Sequence, residues 1–497
     1  MNYVRQFGVR KLVSFVITPL IVIYIMFFAG IAPDNPLIAY TLGVALLMAV
    51  LWITEAVSLA VTSLIPVALF PLLGIMDGRA VAATYFNDVI FLFMGGFLIS
   101  LAMEKWDLHR RIAYNILCFT GTSPARILLG FMLASFFLSM WISNTATAMM
   151  MLPIAMAIIS QLNVLMNNKS SARFSVGILL GIAYSASVGG MATLVGTPPN
   201  LSFIRIFHIY FPDAPEISFY KWMLFAVPVS VLMFIFIWTL LYTFFRPKKK
   251  EWCDVDKHTF HDQLKEMGKR TYEQNFVFVV FILVAILWIS RVDLDFGFAR
   301  IPGWSNLLPV SKFINDGTVA IFMALILFFI PSRTTRGDTI LEWETASKLP
   351  WNILLLFGGG FALATGFKES GLSLWFGGHL SGIANLHPFL IMLIICLVIT
   401  FLTELTSNTA TTEMVLPILA GIAITTGINP VMLMIPATLS ASMAFMLPVA
   451  TPPNAIIFGT GLVSVRQMAA TGFAINLVGA VICAAMMFFW GTRVFIL

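Results

Sequence analysis

The chain reads as an all-α, polytopic membrane protein built from two inverted-topology repeats, with about 11 transmembrane helices plus two re-entrant helical hairpins. Three observations predict this. First, of 497 residues 59% are hydrophobic and only 10% charged, with a mean hydropathy of +0.94, which is the composition of membrane spans. Second, the apolar runs are continuous and about 20 residues long, as a bilayer-crossing helix requires, and they lack the alternation of barrel strands. Third, the tract Ser143-Asn144-Thr145-Ala146-Thr147 reappears as Ser407-Asn408-Thr409-Ala410-Thr411, and each copy is followed by Thr-Pro-Pro-Asn, at 197–200 and 451–454.

Taken in order, spans are expected at 12–31, 36–54, 57–75, 86–104, 175–195 and 223–245. Beyond a charged stretch at 246–273 they are expected at 276–290, 316–331, 350–367, 430–449 and 472–492. Two further apolar stretches, 125–166 and 388–426, each carry a Ser-Asn-Thr tract at the middle and so resemble helical hairpins. The charged start at 1–10 leads into an apolar run too long for a secretory leader and without a small-residue cleavage site, so it is expected to stay as the first span.

The net charge of +6 could indicate nucleic acid or anionic lipid, but the basic residues sit in loops between apolar runs. Orientation explains them better, and no nucleic acid is expected. With the N-terminus inside, most Lys and Arg face the cytoplasm, and only Arg79, Arg205, Lys221, Arg291, Arg300, Lys312, Lys368 and Arg493 lie outside. This predicts an inner-membrane protein with a cytoplasmic N-terminus and an external C-terminus, and Lys248-Lys249-Lys250 as a topology anchor. Cys118, Cys253, Cys396 and Cys483 are too dispersed for a disulfide framework or a metal site. His109, His208, His258, His261, His379 and His387 fall near span ends or in loops, away from any relay.

The duplication has a register. The interval from Ser143 to Ser407, 264 residues, also carries Leu152-Pro153 onto Leu416-Pro417 and Gly95-Gly96-Phe97 onto Gly359-Gly360-Phe361. From Thr197 to Thr451 the interval is 254, which assigns ten extra residues to the first half, at the polar turn 167–173. Five full spans and one hairpin per half make the repeats odd, hence inverted relative to each other.

At a hairpin tip, hydroxyls and an amide offer oxygen acceptors and donors, while the helix starting there presents unpaired N–H groups and a partial positive charge. The oxygens suit a hard cation and the N–H groups an anion. The prolines deprive the carbonyls of Leu194, Val195, Pro448 and Val449 of helical partners, and new half-helices are expected to start at Asn200 and Asn454. One Ser/Thr/Asn cluster in a span is ordinarily interhelical hydrogen bonding; two copies of both elements in register favour a binding centre. Gly95-Gly96 and Gly358-Gly359-Gly360 read as close helix packing.

Among intramembrane acids, Glu55 lies at a span boundary, and Glu404 and Glu413 flank the second tract opposite Met140 and Met149 of the first. No basic residue lies in either tract. A dianion held by dipoles alone would be poorly compensated, and one sodium ion at each half would balance it.

With these motifs the chain resembles the divalent anion:sodium symporters, sodium-coupled dicarboxylate transporters among them. The likeness runs almost the full length, from Thr54-Glu55-Ala56 through both Ser-Asn-Thr and both Thr-Pro-Pro-Asn motifs. The resemblance implies a homodimer in which a scaffold holds a transport domain that moves as an elevator. In this chain the scaffold would comprise 1–120 and 276–382, the transport part 121–245 and 383–497, and the cytoplasmic loop 246–275. It implies a first sodium site at Ser139, Ser143, Asn144 and the Gly196 carbonyl, and a second at Thr403, Ser407, Asn408 and the Ala450 carbonyl. The dicarboxylate would be held by Asn144, Thr145, Asn408 and Thr409, beside Ser143 and Ser407, with Pro198 and Pro452 lining the pocket. Sodium is then co-transported and no organic cofactor is needed. Ser139 and Thr403, equivalent in the repeat, argue for a sodium symporter over a sodium-independent exchanger. Ser58, where many relatives place proline, is a mild departure. The expected function is sodium-coupled symport of succinate, malate or fumarate; a citrate or sulfate symporter, or a dicarboxylate exchanger, would share the motifs. A channel lacks a filter repeat here, and an enzyme would need a base beside Ser143 or Ser407.

Overall fold

The helices begin where the sequence supplies a cap. In the computed structural model, which describes residues 12–165, 168–247, 259–295, 300–335 and 337–495, the Asn35 side chain accepts from Leu37 N and opens α2, Pro36–Thr54. Before it, α1 covers Val13–Phe27. Asn87 caps α4, Asp88–Lys105, after α3, Leu59–Leu72. Such polar caps satisfy the first N–H groups of a helix entering hydrocarbon. The expected anchor Lys248-Lys249-Lys250, as well as Lys11, Cys253, His258 and Arg336, lies outside the described residues.

The first half continues with α5, Leu108–Thr120; α6, Pro124–Ser139; α7, Asn144–Leu165; α8, Asn168–Met191; α9, Pro198–Tyr210; and α10, Phe219–Phe245. A short amphipathic helix α11, Thr259–Glu266, crosses to the second half. There follow α12, Tyr272–Ile289; α13, Asp316–Phe329; α14, Trp351–Ser370; α15, Leu372–His379; α16, Pro388–Thr403; α17, Asn408–Thr426; α18, Pro430–Ala441; α19, Pro452–Phe458; and α20, Val465–Met486. The only strands among the described residues are a short antiparallel pair, Leu294–Asp295 with Arg300–Ile301. Eight described helices are long and apolar enough to cross a membrane, and the fold is that of an all-α, polytopic membrane protein.

The eleven expected spans and both hairpins correspond to helices, with informative differences. The spans expected to 195 and 449 stop at Met191 and Ala441. Helices α5 and α15, which are too short or too polar for a span pattern, were not expected as separate elements, whereas α9 and α19 are the half-helices expected after the proline breaks. Glu55 closes α2 in a left-handed conformation at φ +45° and is exposed, and Ser58 caps α3 through Val61 N.

The duplication holds at the level of elements. α6 and α16 run over equivalent residues, α7 and α17 both start at the tract asparagine, and α9 and α19 both start at the first proline of Thr-Pro-Pro-Asn. α6 packs along α8 as α16 packs along α18. The glycines act as close-packing positions: a methyl at Gly95 would sit 2.6 Å from the Ala320 backbone on α13, and one at its equivalent Gly359 would sit 2.6 Å from Ser63 Cβ on α3.

Overpacking of this kind costs roughly 1–3 kcal/mol or more. Gly95→Leu is therefore expected to lower the unfolding temperature of the detergent-purified protein by several degrees, read by fluorescence-detected size exclusion after heating; an unchanged profile would refute the close α4/α13 contact.

Candidate functional site

Each tract is a turn between two antiparallel arms. In the first half α6 ends at Ser139, the chain turns, and α7 begins at Asn144; Ser143 Oγ accepts from Ala146 N at 3.1 Å. Ser139 donates to Asn144 Oδ1 at 2.5 Å. In the second half Thr403 donates to Asn408 Oδ1 at 2.8 Å, with the Ala441 carbonyl equally close to the same hydroxyl. The repeat thus reproduces one hydroxyl–amide pair at both tips, oxygen against oxygen.

The unwound segments close against these tips. A methyl on Gly190 would sit 2.6 Å from Asn144 Oδ1 and 3.0 Å from the Gly196 carbonyl, so both oxygens converge on a residue without a side chain. Any larger residue there would displace the amide. Ser139, Gly196, Thr403, Thr409 and Ala450 are buried; Ser143, Asn144, Thr145, Pro198, Ser407 and Asn408 are half-buried; Pro452 is exposed. The arrangement gives each half several uncharged oxygens and a helix N-terminus in one place, and this donor set fits a small hard cation.

Two asparagines hold the unwound backbone. Asn200 Nδ2 donates to the Thr193 carbonyl at 2.7 Å and approaches those of Gly190 at 3.2 Å and Met191 at 3.4 Å. Its equivalent, Asn454, donates to Ala444 at 3.0 Å and Leu447 at 3.1 Å. The half-helices start at Pro198 and Pro452, two residues before the expected Asn200 and Asn454. The breaks also begin earlier than proline requires, because the amides collect the carbonyls and the prolines only begin the next helix.

The halves differ beside the tips. Thr193 Oγ1 donates to the Met140 carbonyl at 2.5 Å and accepts from Gly196 N. At the position of Met140 the second half has Glu404, which accepts from the N–H groups of Phe445, Met446 and Leu447 at 2.7, 2.8 and 3.1 Å and from Asn476 Nδ2 at 2.7 Å. Glu413, fully buried, accepts from Ser202 at 2.5 Å.

The half-helices cross over. α9 packs on α17 and α18, while α19 packs on α7 and α8, so each break leans on the opposite half's hairpin. The two centres therefore belong to one interlocked body, joined directly by the Ser202–Glu413 bond. A cavity of about 750 Å³ leads from Ala146 down the Met149, Pro153 and Ile158 side of α7, bounded by His109 and Arg110 of α5 and Phe260 of α11. Burial keeps the His109 imidazole below its usual pKa, so that wall is less cationic than its composition suggests.

The structure brings Ser139 to Asn144, Thr403 to Asn408, and the Gly196 carbonyl towards Asn144, groupings that the family resemblance implied. The ties made by Asn200, Asn454, Thr193 and Asn476 were not expected. The signal was present in the third residue after each threonine, a buried amide following two residues that cannot donate.

A family model described as the sodium:sulfate symporter transmembrane region matches residues 8–497. The sodium-dependent dicarboxylate transporters SdcS of Staphylococcus saprophyticus and Staphylococcus aureus are each 41% identical, over 493 and 492 residues, which is 98% of this chain and 92% of each relative. Among solved structures, the Alcanivorax borkumensis YdaH transporter has a TM-score of 0.56 at 14% identity, covering 84% of this chain and 88% of its own. Neisseria gonorrhoeae MtrF has 0.55 at 13%, covering 83% and 84%. At these identities the likeness is one of fold.

Leaving a buried carbonyl without its partner costs roughly 1–3 kcal/mol. Asn454→Ala, which frees the Ala444 and Leu447 carbonyls, is expected to lower the unfolding temperature by several degrees, measured by differential scanning fluorimetry in detergent; an unshifted transition would show that the amide carries no load.

Proposed function

The chain belongs to the sodium:sulfate symporter family, and from that premise we propose that it is a sodium-coupled symporter of C4-dicarboxylates, succinate, malate and fumarate among them. The observation that carries this reading is the repeated hydroxyl–amide pair, Ser139 with Asn144 and Thr403 with Asn408, in tracts that contain no basic side chain. The names of the 41%-identical relatives, sodium-dependent dicarboxylate transporters, point to the same substrate class.

Sodium is cargo here. One ion is held by Ser139, Ser143, Asn144 and the Gly196 carbonyl, the other by Thr403, Ser407, Asn408 and the Ala450 carbonyl. Their charges offset a dianion that would otherwise be desolvated with only dipoles around it. The carboxylates are received by Asn144, Thr145, Asn408 and Thr409 and by the N–H groups that open α7 and α17, beside Ser143, Ser407, Pro198 and Pro452. Binding of sodium first pulls the tip amides and loop carbonyls onto the ion and so sets the anion pocket.

The two halves are inverted repeats, and the loaded body, 121–245 with 383–497, moves as an elevator against a scaffold of 1–120 and 276–382 in a homodimer, with 246–275 as the cytoplasmic link. The protein sits in the plasma membrane with the N-terminus cytoplasmic and the C-terminus external.

In proteoliposomes an inward sodium gradient is expected to drive succinate uptake, and competition by succinate, citrate and sulfate ranks the anions; uptake indifferent to sodium would replace symport by exchange. A charge-assisted contact contributes roughly 1.5–3 kcal/mol, so Asn144→Ala and Asn408→Ala are each expected to lower uptake at least tenfold in protein that still elutes as a single species. Full uptake in both variants would remove the site from these residues.

A further inference from the structure

Gly96 on α4 and Gly360 on α14 are equivalent in the repeat, yet they meet non-equivalent residues. A methyl at Gly96 would lie 3.6 Å from Val195 Cγ1, a residue of the first unwound loop. At Gly360 it would overlap the carboxyl of Glu413, which lies on the hairpin helix α17, in the second turn past the tract. The counterparts are the reverse in environment. Val195 is 7% exposed and its equivalent Val449 is 85% exposed; Glu413 is 0% exposed and its equivalent Met149 is 59% exposed and lines the large cavity. Trp141, half-buried in the apolar space among Gly96, Ile99 and Ser100, corresponds to Leu405, which is 68% exposed.

A difference in chemistry between the halves does not account for the valine pair. Val195 and Val449 are the same residue type, yet the first is buried at 7% exposure and the second open at 85%. The neighbouring glycines behave alike, since Gly95 packs on α13 and Gly359 on α3. What differs is the height at which each half's hairpin and loop stand against its own glycine helix.

We propose that Gly96 and Gly360 are two equivalent seats whose occupants exchange during transport. In the state described here Val195 occupies the first seat and Glu413 the second; in the opposite state Met149 occupies the first and Val449 the second, with Leu405 following Val449 into the apolar space along α14. Val449 and Leu405 are thus positioning residues for that state, and bare glycines are required because each seat must accept a branched side chain and a long one in turn. This rests on the proposed movement of the hairpin body against α4 and α14, and it adds the residues that define its two end points. Glu413 leaves a dry seat for an open one in the exchange, so one half-cycle desolvates a carboxyl group and the other hydrates it.

Ala364 on α14 is the equivalent of Ser100, which lines the space around Val195. In a variant with all four cysteines replaced by serine, Val449→Cys paired with Ala364→Cys is expected to form a disulfide on mild oxidation in sodium and succinate. Uptake should then fall at least about tenfold and return on reduction. Gly96→Ala, whose added methyl meets only ordinary contact in this state, with Val195 Cγ1 at 3.6 Å, is expected to leave sodium-dependent succinate binding by the purified protein intact while lowering uptake at least about tenfold, because the opposite state would press the Met149 side chain onto that methyl. Failure of the cross-link in a variant that transports, or wild-type uptake by Gly96→Ala, overturns the seat exchange. Absence of sodium-dependent uptake in the unmodified protein would instead overturn the symporter reading, while the cross-link, which follows the movement alone, still reports on the seats.

Discussion

Unwound backbone inside an apolar protein must have its carbonyls and N–H groups satisfied, and the rest of this structure is arranged around that constraint. Two helices, α8 and α18, stop within the protein and leave carbonyls that no helix collects. In each half one amide, Asn200 or Asn454, fixed on the first turn of the following half-helix, gathers those carbonyls and draws the chain into a tight loop. The loop in turn is what brings the Gly196 carbonyl towards Asn144. Without the amide tie there is no compact break, and without the break there is no group of free oxygens beside the hairpin tip.

The second consequence is electrostatic. Neither tract carries a charged side chain, so the centre relies on dipoles of hydroxyls, amides, carbonyls and helix ends. Such a site holds neither a lone cation nor a lone dianion well, because each would lose its hydration to partial charges only. Held together, the two ions compensate each other. In the proposed symporter, coupling therefore follows from leaving charge out of the tracts, and a lysine in either tract would anchor the anion while removing the reason for sodium to enter.

Much of this was legible in the residues. Span positions followed from apolar runs, the hairpins from polar tracts at their middle, the equivalence of Ser139 with Thr403 from duplication at a fixed interval, and the grouping of Ser139 with Asn144 from the family resemblance. The ends of α8 and α18 were not legible, because Ala192 to Val195 and Met443 to Leu447 read as a continuation of their spans; hydropathy does not record that a later amide, Asn200 or Asn454, collects the released carbonyls. Helices α5 and α15 escaped for the opposite reason, lying beside spans with too few apolar residues to stand out. The crossing of α9 and α19 onto the opposite halves is a tertiary fact that a linear repeat does not carry. The seat occupied by Glu413 is of the same kind, since only packing reveals that its neighbour is Gly360.

The place of Glu404 illustrates how an imperfect repeat keeps a symmetric centre. α8 runs to Met191, so only a short stretch separates it from Pro198, and Thr193 closes that stretch by donating to the Met140 carbonyl and accepting from Gly196 N. α18 stops at Ala441, further from Pro452, and the longer loop exposes the successive N–H groups of Phe445, Met446 and Leu447. A single carbonyl has too few lone pairs for three donors, whereas a carboxylate has about four acceptor sites. Glu404 supplies them at the position where Met140 offers only its backbone, and the Asn476 amide of α20 shares the load. The acid is thus a structural answer to a longer break, directed away from the tract and into the loop. The two centres stay alike in their uncharged oxygens because the second half confines its extra charge to holding backbone.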